Sequence, residues 1–345
     1  MKMNKYYALA AFASLVLASC NNDDNVAVEL PQGQEIRFGA QTITADTRAP
    51  FDGTISSTNK LTAHIIGSET TSNYATIYTD NAGAEAKGDI TFEDNGTTEY
   101  GFPSGVKWKD ENTTLYFRGF YPAGSVWTIA AGASAMAAID GKTDLMLAPE
   151  VSGQQADGAL NFAFSHLLTK LHVKVVGNAT TAADWGDITK IELDKALNAS
   201  PKNSVSQTFS DPSATYTGSA TAIPFFQATE ADGKITYTDD ALTGKAVSVP
   251  ATPELVAYAL VAPVDAVDGS GDVKDEYTLK VYTSSKATDG KPVAINLKAM
   301  DGTDYAGSTA GKKFDITIQF RGEGQITATA TVTEWEDGGS GNGTM

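Results

Sequence analysis

Leu160-Asn161-Phe162-Ala163-Phe164-Ser165-His166-Leu167-Leu168-Thr169-Lys170-Leu171-His172-Val173-Lys174-Val175 is the stretch on which the fold turns. An extended chain points successive side chains to opposite faces. Phe162, Phe164, His166, Leu168, Lys170, His172 and Lys174 share one parity, and Leu167, Leu171, Val173 and Val175 share the other. Both faces therefore carry apolar residues. That predicts one strand in the middle of a sheet, covered on both sides.

Further strands are expected on either side. Upstream they are residues 36–40, with Ile36, Phe38 and Ala40 alternating with Arg37 and Gly39, then 42–45, 61–66, 75–78 and 89–92, the aromatic run 115–121 closed by Pro122, and 144–148 closed by Pro149. Downstream they are 188–193, 247–249, 255–261, 277–282, 293–297, 313–320 and 326–335. Gly, Pro and Asp punctuate them every ~10–15 residues, the rhythm of β-sandwiches. No longer segment carries a helical stripe, although Ala and Met permit a short helix near 130–139. Residues 150–159 read as a linker, and 21–34 as a polar tether ending in Pro31-Gln32-Gly33-Gln34.

The chain has 345 residues, long enough for two domains. Its formal net charge is −17, or −19 once Lys2 and Lys5 leave with an N-terminal signal. Such a surface repels nucleic acid and anionic membrane faces. No segment after the N-terminus is long and apolar enough to span a bilayer.

At the N-terminus Lys2 and Lys5 flank the start of an apolar run from Tyr6 to Val16, which has the length of a secretory h-region. Leu17-Ala18-Ser19-Cys20 follows and resembles the bacterial lipobox. Small residues there fit a signal peptidase, and the thiol accepts lipid, worth about 0.8 kcal/mol per buried CH₂. Cys20 is the single cysteine, so no intrachain disulfide can form. Asn21-Asn22-Asp23-Asp24 resembles the surface-export signal of Bacteroidota lipoproteins; it also reads as an acidic tether.

Six features taken together resemble the fimbrillin family, the type V pilins and related lipoproteins of Bacteroidota. They are Ile36-Arg37-Phe38 with Thr47-Arg48-Ala49 after it, Val106-Lys107-Trp108, Asp144-Leu145-Met146-Leu147-Ala148, residues 162–171, Tyr258-Ala259-Leu260-Val261-Ala262-Pro263, and Val332-Thr333-Glu334-Trp335. The resemblance implies an all-β chain of two tandem transthyretin-like β-sandwich domains of Greek-key type. It implies residues 1–20 as lipoprotein signal peptide and 21–48 as tether and removable N-terminal strand. Residues 49–158 and 159–345 would be the two domains. It further implies a trypsin-like processing protease cutting between Arg48 and Ala49, departure of the first strand, and a groove filled by a strand from the next fimbrial subunit.

A sandwich missing a strand exposes unpaired backbone groups over an apolar trough, which a neighbour's strand can satisfy. Such head-to-tail contacts do not close, so they propagate a fibre. The candidate donor is the C-terminal segment, with Ile326, Ala328, Ala330 and Val332 on one face and threonines on the other. It reads equally as the last strand of its own domain. No long extension follows Trp335, which keeps a tip or accessory role open beside a shaft role.

Catalytic and metal patterns are not evident. His166 and His172 lie six residues apart, about 20 Å along one strand, too far to share a metal. Asp265, Asp268, Asp272 and Asp275 miss the EF-hand spacing. Trp108, Trp127, Trp185 and Trp335 suit core packing better than a glycan platform. No enzyme and no cofactor is expected. The expectation is a fimbrial subunit, structural or tip adhesin, held to the outer membrane through lipid on Cys20 before processing and found in the fimbrium afterwards. Its partners would be other fimbrial subunits and, in a tip role, a host or bacterial receptor. The alternative is a surface lipoprotein that does not polymerise and binds glycans or host proteins.

Overall fold

The computed structural model describes residues 33–40, 44–45, 53–93, 99–194, 201–219, 221–246, 252–264, 277–295, 297–298, 308, 310–334. The first half holds β1 (Arg37–Ala40), β2 (Thr44–Ala45), β3 (Gly53–Thr54), β4 (Leu61–Ser68), β5 (Lys87–Phe92), β6 (Tyr100–Gly101), β7 (Leu115–Tyr121), β8 (Trp127–Ala130), β9 (Ser134–Ala138), β10 (Met146–Gly153), β11 (Leu160–Phe162) and β12 (Ser165–His166). A five-stranded sheet runs β12-β10-β7-β4-β5, and a three-stranded sheet runs β11-β1-β6. Alternation in β4 sends Leu61, Ala63 and Ile65 inward, and in β7 it sends Leu115 and Phe117 inward. They meet Ile36, Phe38, Phe92, Phe102, Trp108 and Phe162 in one apolar core.

The second half holds β13 (Thr169–Val176), helix α1 (Ala179–Trp185), β14 (Asp187–Leu193), β15 (Lys202–Thr208), β16 (Ala214–Gly218), β17 (Ile223–Pro224), β18 (Phe226–Ala231), β19 (Lys234–Ala241), β20 (Lys245–Ala246), β21 (Glu254–Val261), β22 (Tyr277–Thr283), β23 (Lys291–Ile295), β24 (Leu297–Lys298), β25 (Lys312–Phe320) and β26 (Ile326–Glu334). A seven-stranded sheet runs β19-β18-β21-β13-β25-β26-β24, and a five-stranded sheet runs β17-β14-β22-β23 with β20 also paired to β14. Between them lies the larger core, with Leu171, Val173, Val175, Ile191, Leu279, Val281, Phe314 and Ile316. The residues from Gly33 onward form one compact unit holding both cores.

The stretch expected to be one strand is three. β11 pairs with β1, β12 with β10, and β13 lies between β21 and β25. The central position and the burial of both faces hold for β13 alone, where Lys170 and His172 are nearly inaccessible. Residues 150–159 are not a linker. β10 continues to Gly153 and a 3-10 turn covers Gln155–Asp157. Glu150 accepts hydrogen bonds from the Thr71 and Tyr74 hydroxyls and the Ser72 N–H, each at 2.7 Å. The short helix near 130–139 is instead β9. Ala135 and Ala137 face the core at alternate positions, while Met136 is exposed. Residues 75–78 form no strand, and 247–249 lie outside the described residues. The one α-helix among the described residues starts where Asn178 Oδ1 accepts from Thr181 N–H at 3.0 Å, a reciprocal N-terminal cap.

A four-stranded sheet, β16-β15-β9-β8, crosses the 158/159 boundary drawn from the sequence. Its seam is reinforced by Arg118 on the outer face of β7. That guanidinium is buried, donates to the Phe209 carbonyl at 2.5 Å and the Gln207 side chain at 3.3 Å, and lies 4.9 Å from the Phe209 ring centre. A hydrogen bond from a charged donor in a dry site contributes about 1.5–3 kcal/mol. Arg118→Met keeps much of the volume and removes the donors. It is expected to lower the unfolding free energy by about 1.5–3 kcal/mol in urea titration; an unchanged midpoint would mean the seam does not rest on this residue.

The β18–β19 hairpin curls back over the outer face of β13. Tyr237 on β19 places its hydroxyl 2.9 Å from His172 Nε2, although β18 and β21 lie between the two strands in the sheet. His172 Nδ1 sits 3.3 Å from Asp315 Oδ1, off the line of a directed hydrogen bond. Burial holds the His172 imidazole below its ordinary value against the opposing pull of Asp315. The unfolded chain protonates His172 near pH ~6.5, and the folded chain resists. Its stabilising contribution is therefore present above that pH and is lost as pH falls below it. Stability should decline from pH 7.5 to 5, and less steeply in His172→Gln; superimposable profiles would refute this assignment.

Candidate functional site

The site is the slot that β1 occupies. Ile36 and Phe38 are fully buried, while Arg37 between them points outward and pairs with Glu35 at 2.5 Å. This is the alternation of a strand with one buried face. β1 runs parallel to β11, with Phe38 opposite Leu160 and Ala40 opposite Phe162, and antiparallel to β6, with Phe38 opposite Tyr100. It is the middle strand of its sheet. Without it, β6 and β11 would stand about two strand spacings apart, ~9.5 Å, with unpaired backbone edges facing each other.

The approach to β1 is bonded as well. Ile36 N–H donates to the Val106 carbonyl, and Trp108 N–H donates to the Gln34 carbonyl, both at 2.9 Å. Gly33 passes so close to the Trp108 carbonyl that a β-carbon there would lie 1.8 Å from it, which restricts the position to glycine. Around the Phe38 ring stand Phe117 at 5.0 Å, Phe162 at 5.3 Å and Phe102 at 5.4 Å, centre to centre. Phe117 and Phe102 meet it edge to face, an arrangement that contributes about 0.5–1.5 kcal/mol per pair beyond area burial.

Three of the quoted sequence features thus converge: Ile36-Arg37-Phe38, Val106-Lys107-Trp108 and the Phe162 end of the decisive stretch. The sequence reading placed each on its own and missed their partnership, along with Phe102. Nothing local in the sequence signals a parallel pairing between residues more than a hundred positions apart.

The remaining expected residues are distributed as follows. Cys20, Arg48 and Ala49 lie outside the described residues. Arg48 falls in the segment joining β2 and β3, whose backbones pair at Thr44 with Thr54 and at Ala45 with Gly53. The candidate donor segment is β26, which pairs antiparallel with β25 from Phe320–Ile326 to Lys312–Glu334 and parallel with β24 at Ala330 and Thr331. Ile326 and Ala328 are half-buried against the larger core and Ala330 is buried; Val332 stands opposite Phe314 in the register.

The histidines are on three different strands. His64 pairs with Asp89 at 2.6 Å, His166 with Asp144 at 3.0 Å, and His172 with Asp315 and Tyr237 as above. Among the described residues no three His, Cys, Asp or Glu side chains gather as a metal site, and no helix is long and apolar enough to cross a membrane. Trp108, Trp127 and Trp185 are buried in the cores. Trp335 and the acidic run 265–275 lie outside the described residues.

Phe38→Ala removes the ring at the centre of this site and is expected to cost about 3–5 kcal/mol in unfolding free energy. Arg37→Ala, next to it but at the surface, should cost no more than about 1 kcal/mol. Equal losses in chemical denaturation would mean that β1 is held by its backbone and not by the Phe38 pocket.

The fimbrillin-like family matches residues 47–335. The match starts beside Arg48, so β1 lies outside it. The solved structure of a candidate cell adhesion protein from Bacteroides uniformis superposes with a TM-score of 0.51 at 16% identity, covering 88% of this chain and 99% of its own. That likeness speaks to the fold. A chain of the same description from Bacteroides ovatus has a TM-score of 0.49 at 14% identity, over 88% of this chain and 98% of its own. A fimbrial protein from Bacteroides vulgatus has 0.46 at 15%, over 81% and 93%. No curated protein matches. With the family match spanning most of the sequence and a β architecture in accord with it, the chain belongs to the fimbrillin-like family.

Proposed function

We propose that this chain is a fimbrial subunit, structural or tip adhesin, that is exported as a lipoprotein through Cys20 and primed by cleavage between Arg48 and Ala49. On this reading the chain is two tandem transthyretin-like domains meeting at 158/159, with Leu160, Phe162 and Phe164 reaching back into the first core and Ala135 and Ala137 into the second. The observation that carries it is the position of β1. A strand central to its sheet, buried through Ile36 and Phe38, is joined to the rest of the protein by a segment containing Arg48. One cut there turns an internal strand into a non-covalently held insert. Its loss exposes an apolar trough with two open edges, which a neighbouring subunit's strand can fill.

The donor pattern within this chain is β26, through Ile326, Ala328, Ala330 and Val332, which would leave β25 to enter a neighbour. The function is assembly and adhesion, not catalysis. Its partners are other fimbrial subunits, a trypsin-like protease and, in a tip role, a surface receptor. A second reading, a surface lipoprotein that stays monomeric and binds glycans or host proteins, is favoured by one observation: β26 is paired along its whole length with β25.

Limited trypsin digestion of the protein expressed from Asn21 onward separates the two. The expected result is a single early cut after Arg48 in mass spectra and, in the cut product, exchange of the N-terminal fragment for an added peptide of residues 33–41; neither is expected in Arg48→Ala. A cut product that exchanges no strand would overturn the strand-exchange reading and leave the monomeric lipoprotein.

A further inference from the structure

We propose that the β1 slot is read by size, that its occupant is a strand of another fimbrial subunit with a branched aliphatic residue followed two positions later by a phenyl ring, and that β26 of a second copy of this chain does not meet that rule. The proposal rests on the strand-exchange reading above.

β1 itself is the template for the occupant. Ile36 and Phe38 are both 0% exposed, and three rings from three separate chain segments close around Phe38 at 5.0–5.4 Å. Protein interiors are packed as tightly as organic crystals, so a pocket shaped to a phenyl ring is not filled by a methyl group. The pocket walls belong to β7, β11 and the residue following β6, which the two flanking sheets hold in place.

β26 does not carry that pair in any register. Ile326, Ala328 and Ala330 face the core and Val332 shares their parity in the sequence, so a large residue of that parity is always followed or preceded by alanine or by a polar residue at the second position. Its opposite face is threonine up to Trp335, whose neighbour two positions back is Thr333. The alanines suit the place β26 already has: Ala328 stands opposite Ile318 and Ala330 opposite Ile316 in the register with β25. Small residues beside large ones fill that interface, and the same small residues would leave the Phe38 pocket empty. A homopolymer built by β26 entering the β1 slot would carry a cavity at every joint.

The test uses the full chain from Asn21 with residues 47–49 replaced by the recognition sequence of a site-specific protease. Opening the slot then does not depend on trypsin choosing Arg48. After cleavage, dye-labelled peptides are offered and binding is read by fluorescence anisotropy and native mass spectrometry. The peptides span residues 33–41, the same with Phe38→Ala, residues 325–335, and the last with Ala328→Phe, which recreates the Ile-x-Phe pair. The β1 peptide is expected to bind. Phe38→Ala and the C-terminal peptide should be weaker by roughly 100-fold. Ala328→Phe should recover at least about ten-fold. Binding of the unmodified C-terminal peptide within about ten-fold of the β1 peptide, or a β1 peptide indifferent to Phe38→Ala, would overturn the size rule while leaving strand exchange intact. If no peptide binds, the β1 sequence included, the slot does not open, and strand exchange falls together with the size rule.

Discussion

Between Leu160 and Val176 one continuous run belongs to three sheets and both cores, and the rest of the structure hangs on how that run is broken. Phe162 and Phe164 pack with the first core, and Leu171, Val173 and Val175 with the second. A single extended strand could not deliver its side chains to both. The breaks expose backbone groups that must find partners in a buried place. Leu167 N–H donates to the Leu145 carbonyl at 2.9 Å, the Leu167 carbonyl accepts from the Tyr216 hydroxyl at 2.6 Å, and the Leu168 carbonyl accepts from Gly311 N–H at 2.8 Å. These three bonds come from distant parts of the chain, so the junction is fixed only when both halves are folded around it.

β1 inherits its position from that junction. β11, the first piece of the broken run, is one wall of its slot, and β6 is the other. The slot joins two kinds of interaction with different consequences. Backbone pairing on both edges is indifferent to sequence and suits any inserted strand. The ring pocket around Phe38 is particular about what enters. A subunit that exchanges strands needs both: the first to make exchange possible, the second to choose the partner.

Three polar side chains, two of them buried, lie where separate pieces of chain meet. Arg118 ties β7 to residues 207–209, His172 meets the hairpin that folds over β13, and Glu150 anchors the turn after β4. Each makes at least one hydrogen bond across its joint. Each also gives its joint a direction that apolar contact alone would not. The formal net charge of −17 is a balance that favours solubility and repels polyanions.

The β class, most strands of eight or nine residues and the apolar character of both faces of β13 were legible in the sequence, because alternation and turn residues are local signals. So was the strand character of Ile36-Arg37-Phe38, and the family's motifs could be picked out residue by residue. What only the tertiary structure decided is which strands lie side by side. β1 is parallel to β11 across more than a hundred residues, β9 pairs with β15 across the expected domain boundary, and residues 160–175 divide among three sheets. Pairing partners are chosen by the burial of whole faces and by hydrogen bonds between remote backbones, and a one-dimensional pattern with a period of two carries no record of either.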